Sequence, residues 1–399
     1  MLYNHSTNKD YFRYDNYIYD IRYKQDILPN TVIINIYRHD FFEKCKNPQE
    51  ITTCFEPIYD QLLKLDCEYY FFTVAIGETT NPRWTNAVFD EIRLLLTKLG
   101  GKLKNYICLL NSTVDDSFYP TDINILVVPW CLLSTIAWYK NTNLFYTWKP
   151  ENEKILFLPG KLDKPNRLPI LYHLLDSKYK DNLLYTCNHN YFFQANFMDY
   201  LSKMVEQLNL YTNKTWDLNS LIKYLGSIQK DIDIGSDLRN RLHVTPTEFY
   251  KEVKLEIVPE TWIDTVEHLS EKSFKPIVLG YPFLHINRKF KNSLEVFNLK
   301  TFDDFLPEFK ETYDKMEYIN QFLIDLPVLI SSISQNANKI QEIIDHNKKQ
   351  SNLLYDHFTQ EISKYIPDFL THHDLIFTQF LAYSVKSSKS YESLQSVIV

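Results

Sequence analysis

Residues 68–111 decide the fold class; they read EYYFFTVAIGETTNPRWTNAVFDEIRLLLTKLGGKLKNYICLLN. The apolar run at 68–76 predicts a strand, and NYICLLN at 105–111 predicts another. Between them, residues 83–99 repeat apolar side chains every three or four positions, which predicts a helix that ends at Gly100-Gly101. The stretch therefore predicts a strand–helix–strand unit.

The same alternation extends to both sides of this stretch. TVIINIYR (31–38) and NILVVPW (124–130) predict further strands, and residues 48–66 have helical spacing. Strands that alternate with helices predict a parallel α/β domain, which we place at residues 1–150.

A second α/β domain is predicted at residues 151–307, after Lys149-Pro150. Its predicted strands lie at 154–160, 183–188, 253–258 and 282–286, and helices are predicted between them. The fold class predicted for the chain is therefore α/β, with two Rossmann-like domains.

The remaining residues, 308–399, predict a helical C-terminal segment. Pro327 is expected to kink or break its first helix, and the charged residues at 345–349 predict a turn. An apolar stripe, which must be buried somewhere, recurs at three- and four-residue intervals: Ile340, Ile343, Ile344, Leu353, Leu354, Phe358 and Ile362.

Glycine is scarce. The chain has 7 glycines in 399 residues, or under 2%, whereas about 7% is average for proteins. No GxGxxG and no Walker A loop can be built from them, which excludes classical dinucleotide dehydrogenases, P-loop enzymes and kinases. The net charge of −7 argues against a dedicated nucleic-acid surface.

The cysteine and hydropathy patterns predict a cytoplasmic protein. None of the six cysteines forms a CxxC pair, which favours reduced thiols. The N-terminus lacks the pattern of a signal peptide. The apolar run at 123–139 is short and contains Pro129, so we expect a buried strand and helix there rather than a membrane span. If the protein is viral, the host cytoplasm is the expected location.

Residues 255–276 hold the most informative cluster of charges. Glu260 follows the strand at 253–258, at the edge where open α/β sheets bind ligands. Lys272 and Lys275 share one face of a predicted helix, and two ammonium groups beside a helix N-terminus suit a diphosphate. Glu271 is a candidate partner for ribose hydroxyls. A solvated charged turn before a buried helix explains the same pattern.

These residues resemble the nucleotide-sugar-binding half of fucosyltransferase-like GT-B glycosyltransferases, and related viral and bacterial putative glycosyltransferases. The matching elements are Glu260-Thr261, SEKSFKP (270–276), Pro282-Phe283-Leu284 and LKTF (299–302). In that family the Glu and Lys of the central motif contact the ribose and phosphates of the donor. The resemblance covers about residues 155–310 and carries those roles to Glu271 and Lys272.

Arg167 is a second match to the family pattern. It follows the strand ILFLPG (155–160) and the turn KLDKPN (161–166), and it opens the helix LPILYHLL. A guanidinium at a helix N-terminus can bind a diphosphate through two parallel hydrogen bonds. A plain surface arginine is the competing interpretation.

Candidate bases lie at the ends of predicted strands in the first domain. Glu78 follows Gly77, which lets the backbone turn, and is preferred over His39 and Asp40 as the group that deprotonates an acceptor hydroxyl. Each of the three is also compatible with a structural or solvated role.

No metal site is predicted. Asp231-Ile232-Asp233 matches the DxD of GT-A enzymes but does not follow a long apolar strand, and His372-His373 point apart on a helix. Fixed cations are expected to replace Mg²⁺ at the leaving diphosphate.

The resemblance implies a metal-independent, inverting glycosyltransferase without a cofactor. Its substrates would be a nucleotide sugar and a glycan, protein or other hydroxyl acceptor. The rival prediction is a non-catalytic α/β scaffold whose helical tail binds a partner or drives assembly.

Overall fold

The computed structural model describes residues 11–15, 19–24, 28–37, 49–75, 82–111, 120–140, 146–159, 162, 167–186, 197–228, 247–259, 270–286, 290–302 and 315–381. These residues form two compact units. The first comprises the described residues up to Ser134 together with Leu353–Phe377. The second comprises those between Thr135 and Asn352, and the last ones from Thr378.

The first unit contains a six-stranded sheet. Its strands are β1 (Tyr11–Asp15), β2 (Tyr19–Lys24), β3 (Thr31–Tyr37), β4 (Tyr69–Ala75), β5 (Asn105–Asn111) and β6 (Ile125–Val128). Their order in the sheet is their order in the sequence. The pairs β1–β2 and β2–β3 are antiparallel, and the pairs from β3 to β6 are parallel.

Two helices, α1 (Gln49–Lys64) and α2 (Pro82–Leu99), connect the parallel strands of this sheet and pack against each other. Because β3, β4 and β5 are neighbours in sequence order, right-handed crossovers place both helices on one face. The side chains of Tyr70 and Phe72 enter the core that they share with these helices.

The opposite face of β4 is also covered. Side chains alternate along a strand, so Phe71 points away from α1 and α2. Its ring stacks on that of Phe369 at 5.8 Å between centroids, and neither side chain is exposed to solvent. A segment near the C-terminus therefore completes the core of the first sheet.

The second unit contains a four-stranded, fully parallel sheet. Its strands are β7 (Lys154–Phe157), β8 (Leu183–Tyr185), β9 (Val253–Val258) and β10 (Phe283–His285), in the order β8-β7-β9-β10. The chain moves from β7 to β8 on one side and later from β9 to β10 on the other. The strand order therefore reverses between β7 and β9.

The remaining helices follow in chain order. They are α3 (Trp130–Lys140), α4 (Arg167–Leu175), α5 (Phe197–Tyr211), α6 (Leu218–Ser227), α7 (Glu271–Leu279), α8 (Phe290–Glu295), α9 (Lys315–Gln335), α10 (Ala337–Ser363) and α11 (Phe369–Leu381). None of the helices in the described part of the chain is long and apolar enough to cross a membrane.

The tail is helical as expected, but the turn predicted at residues 345–349 is wrong. Helix α9 continues through Pro327, and α10 continues through the charged residues 345–349 instead of turning. Of the predicted apolar stripe, Ile340 and Ile362 are fully buried, whereas Leu353 is exposed. The buried face continues at three- and four-residue intervals through Ile344, Ser351 and Tyr355, and Leu353, two residues from each of the last two, points away from it.

Polar side chains of α10 attach it to the second unit. Asn347 accepts from the backbone N–H of Lys300 and donates to its carbonyl, both at 2.8 Å. His346 Nε2 lies 2.8 Å from the carbonyl oxygen of Asn298. Lys348 lies against Gly280, which ends α7 in the left-handed region at φ 77°.

The mixed α/β class with parallel strands is confirmed. The strand at 253–258 begins and ends as predicted. The antiparallel hairpin β1–β2 was not predicted. The first sheet keeps its sequence order, which differs from the reversing order of a Rossmann-like sheet.

Candidate functional site

The carboxyl edge of the second sheet is the candidate ligand site. In open α/β sheets ligands bind outside the carboxyl ends of the strands, where the strand order reverses. Here that point lies between the ends of β7 at Phe157 and β9 at Val258. Helix α4 follows β7 and helix α7 follows β9, so both helices begin at this edge.

Arg167 is the first residue of α4 and only 3% exposed. Its Nε donates a hydrogen bond of 3.1 Å to the carbonyl oxygen of Pro259, the residue that follows β9. The arginine that opens the helix after β7 is thus attached to the end of β9. Arg167 is therefore not a plain surface arginine.

The N-terminus of α7 contributes backbone donors to the same edge. Ser270 is the N-cap, and its hydroxyl accepts a hydrogen bond of 3.2 Å from the backbone N–H of Lys272. The Lys272 side chain is half-buried. A helix N-terminus carries partial positive charge and favours anions, so Lys272 and this terminus suit a phosphate group.

Lys275 has a different environment from Lys272. Its ammonium lies 2.9 Å from Oε1 of Glu256, and the two side chains are 4% and 1% exposed. The contact is a buried ion pair. The shared face of Lys272 and Lys275 therefore does not present two ammonium groups to solvent, because Lys275 packs towards the sheet.

Tyr250 completes the buried group around Glu256. Its hydroxyl donates a hydrogen bond to Oε2 of Glu256. Burial, together with the negative charge of Glu256, raises the pKa of Tyr250 well above its usual value, so the hydroxyl keeps the proton that it donates. The ring of Tyr250 packs on that of Tyr281 at 4.7 Å between centroids.

A second buried polar contact joins α7 to β10. The hydroxyl of Ser273 lies 2.9 Å from Nε2 of His285, at the carboxyl end of β10. Ser273 is fully buried and His285 is 7% exposed. Sequence reasoning missed both this pair and Glu256. The signal was a polar side chain between apolar neighbours in a strand, Glu256 in VKLEIV and His285 in PFLHI.

Several predicted site residues lie outside what the structure describes. Glu78, the preferred base, and Glu260 belong to segments without described placement, as do His39 and Asp40. Glu271 begins α7, but only its backbone is described. Their predicted roles stay predictions.

The candidate metal ligands do not form a site in the described residues. No three His, Cys, Asp or Glu side chains come together there to hold a metal ion. Asp231 and Asp233 are outside that part of the chain. His373 lies beside its helix neighbours, with Nδ1 2.7 Å from the carbonyl oxygen of Leu370.

A cavity of about 680 Å³ lies along β8, away from the predicted donor residues. It is lined by the whole of β8 and by residues that include Lys154, Tyr172 and Tyr224. Lys154 and Leu183 are the first residues of β7 and β8, so the cavity reaches the amino end of the sheet. None of the predicted donor-binding residues lines it.

Comparison with known proteins adds no family to these observations. The chain matches no protein-family model, no curated protein and no solved structure. The candidate site therefore rests on the topology and contacts of the second unit.

Proposed function

We propose that this protein is a glycosyltransferase, and that the diphosphate of its nucleotide-sugar donor binds at the carboxyl edge between β7 and β9. One observation carries the proposal: Arg167 opens α4 and is attached to Pro259 at the point where the strand order reverses. The N-terminus of α7 begins at the same edge. Buried arginine and helix-terminal amides replace the glycine-rich loop that this chain lacks.

The reaction would require little of the protein beyond charge and positioning. The acceptor oxygen forms a bond to the anomeric carbon while the bond from that carbon to the diphosphate breaks. The diphosphate leaves with the bonding electrons, and Arg167 and Lys272 stabilise its developing negative charge. The acceptor proton passes to a base, for which Glu78 is the candidate. Lys275 has no direct role, because Glu256 already pairs with it.

The proposal includes a GT-B-like arrangement in which the second unit holds the donor. Support comes from the reversing strand order β8-β7-β9-β10 and from the resemblance at residues 270–276. The first unit would provide the acceptor side, on a sheet whose strand order does not reverse.

Nucleotide binding tests the proposal. GDP, UDP, ADP and CDP are screened by thermal shift, with the matching nucleosides as controls. A nucleotide present at 100 times its dissociation constant adds about 2.7 kcal/mol to stability. We expect one diphosphate to stabilise the protein more than its nucleoside does. If none of the four does so, the donor site is wrong and the scaffold hypothesis is favoured.

Two substitutions locate the site. Lys272→Ala removes one charge, and Arg167→Gln removes the other while leaving an amide donor near Pro259. Charge-assisted hydrogen bonds contribute about 1.5–3 kcal/mol, so each variant should weaken diphosphate binding about ten- to hundredfold.

Trp148→Phe is the matched structural control. Trp148 is buried and donates from Nε1 to the carbonyl of Lys254, 2.9 Å away, at the amino end of β9. Its loss should lower stability without changing the dissociation constant. If both Arg167→Gln and Lys272→Ala bind the nucleoside diphosphate with wild-type affinity, the proposed diphosphate site is wrong.

Metal independence is part of the same proposal. EDTA should leave sugar transfer or donor hydrolysis nearly unchanged, since fixed cations stabilise the leaving group. A strict requirement for Mn²⁺ or Mg²⁺, abolished by Asp231→Asn or Asp233→Asn, would favour a GT-A mechanism instead.

A further inference from the structure

Helix α7 is held on the second sheet by two buried polar contacts. Lys275 pairs with Glu256 on β9, and Ser273 contacts His285 on β10. The contacts lie in the first five residues of the helix, close to the N-terminus that faces the candidate site. They bind this end of the helix to two adjacent strands.

The ion pair of Glu256 and Lys275 is a poor device for stability alone. Both charges lose their hydration in the core, and well-packed apolar side chains of similar size often stabilise a protein as much or more. Apolar contacts, however, are non-directional. A charge pair with a fixed hydrogen-bonded neighbour, here Tyr250, restricts how the helix can slide or rotate on the strand.

Strand β9 carries both anchors of the candidate site. Glu256 holds α7 through Lys275, and Pro259, three residues further, holds Arg167 through its carbonyl oxygen. At about 3.3 Å per residue, three residues of strand separate the two anchors by about 10 Å along β9. The spacing between the arginine and the helix N-terminus is thereby tied to one rigid strand.

We propose that Glu256 is a positioning residue of the diphosphate site, which fixes the N-terminus of α7 and Lys272 relative to Arg167. The inference rests on the proposed function and adds the group that aligns its two cationic elements. Glu256 acts through Lys275 and does not touch the donor.

An apolar replacement of the buried group tests this role. The triple variant Tyr250→Phe/Glu256→Leu/Lys275→Met removes both charges and the hydroxyl that would otherwise lose its acceptor. We expect it to fold with a melting temperature near that of the wild type. Its affinity for the best nucleoside diphosphate should fall at least tenfold, while its affinity for the matching nucleoside stays within twofold.

A second variant keeps the test valid if the triple variant does not fold. Glu256→Gln preserves the shape of the side chain and removes its charge. We expect at least a threefold loss of diphosphate affinity with an unchanged nucleoside affinity. Trp148→Phe, which removes a hydrogen bond at the far end of β9, should change neither affinity.

Amide hydrogen exchange gives a readout that needs no ligand. The N–H groups of Ser273 and Phe274 bond to the carbonyl of Ser270 in the first turn of α7. Their exchange should be at least tenfold faster in the triple variant, while the amides of β7 keep their protection. Exchange rates equal to those of the wild type would overturn the inference.

The two proposals fail in different ways. If the wild type binds none of the diphosphates, the proposed function fails, and the diphosphate role of Glu256 fails with it. If the wild type binds one and both Glu256 variants bind it equally well, the positioning role alone is wrong.

Discussion

Replacing Phe369 by Ala should strongly destabilise the first unit. Phe369 is fully buried; its ring stacks on Phe71 at 5.8 Å and meets Phe377 edge-on at 5.6 Å. Removing a buried phenyl ring costs about 3–5 kcal/mol. Because whole domains are stable by about 5–15 kcal/mol, this loss brings the unit close to unfolding.

Urea denaturation, followed by far-UV circular dichroism, measures this loss. A double-mutant cycle with Phe71→Ala should give a coupling of about 0.5–1.5 kcal/mol, the range found for aromatic pairs. Leu370→Ala is the matched control, because Leu370 is the next residue and 53% exposed; it should change stability by about 0.5 kcal/mol or less. The argument is refuted if Phe369→Ala behaves like Leu370→Ala, or if the cycle shows no coupling.

Three further predictions concern a glycine, a helix cap and the tail. Gly280→Ala and Gly100→Ala should each cost about 1–2 kcal/mol in urea titrations, because these glycines have left-handed φ values of 77° and 51°. The Cβ at position 280 also meets the end of the Lys348 side chain, which is flexible and can move aside. Wild-type urea midpoints in both variants would refute this backbone cost. Asp217 caps α6 by accepting from the backbone N–H of Ser220, and these hydrogen bonds lower the pKa of its carboxyl group. The cap therefore stabilises the protein above the unfolded pKa of about 3.9, and this stabilisation is lost as pH falls through the lower folded pKa. The urea midpoints of Asp217→Ala and wild type should converge as the pH is lowered. A difference between the two midpoints that stays constant with pH would contradict this. Deletion of residues 336–399 should give an insoluble or nucleotide-incompetent protein, since it removes α10 and the ring of Phe369 that stacks on Phe71. A soluble, folded and nucleotide-binding product would show the tail to be a separate module.

The sequence predicts the strands of this fold well because their side chains are apolar on both faces. Residues 69–75 are the clearest example, since parallel strands buried on two sides have continuous hydrophobic runs. The hairpin β1–β2 was not predicted, although Tyr19, Ile21 and Tyr23 of β2 alternate with charged residues in the period-2 pattern of a strand. Strand order also could not be predicted, as nothing local distinguishes a neighbour in sequence from a neighbour in the sheet.

The candidate site could also be predicted from the sequence only in part. The helix at Arg167 and the helix containing Lys272 were predicted from local patterns, and the contact of Arg167 with Pro259 was not, because it joins residues 92 positions apart. The prediction that Lys275 contacts the diphosphate is not supported, for a physical reason. Spacing of i, i+3 identifies a shared helix face, but it does not say whether that face meets solvent or a buried carboxylate such as Glu256.

The pairing of Phe71 with Phe369 has a consequence for synthesis of the chain. The two residues are separated by 298 positions, from 71 to 369. At about 5–20 residues per second, a ribosome needs about 15–60 s to reach the second after the first. During that time the nascent sheet lacks the segment that covers one of its faces. Translation speed and chaperone access should therefore affect the yield of this protein more than they would for a domain whose core is contiguous in sequence.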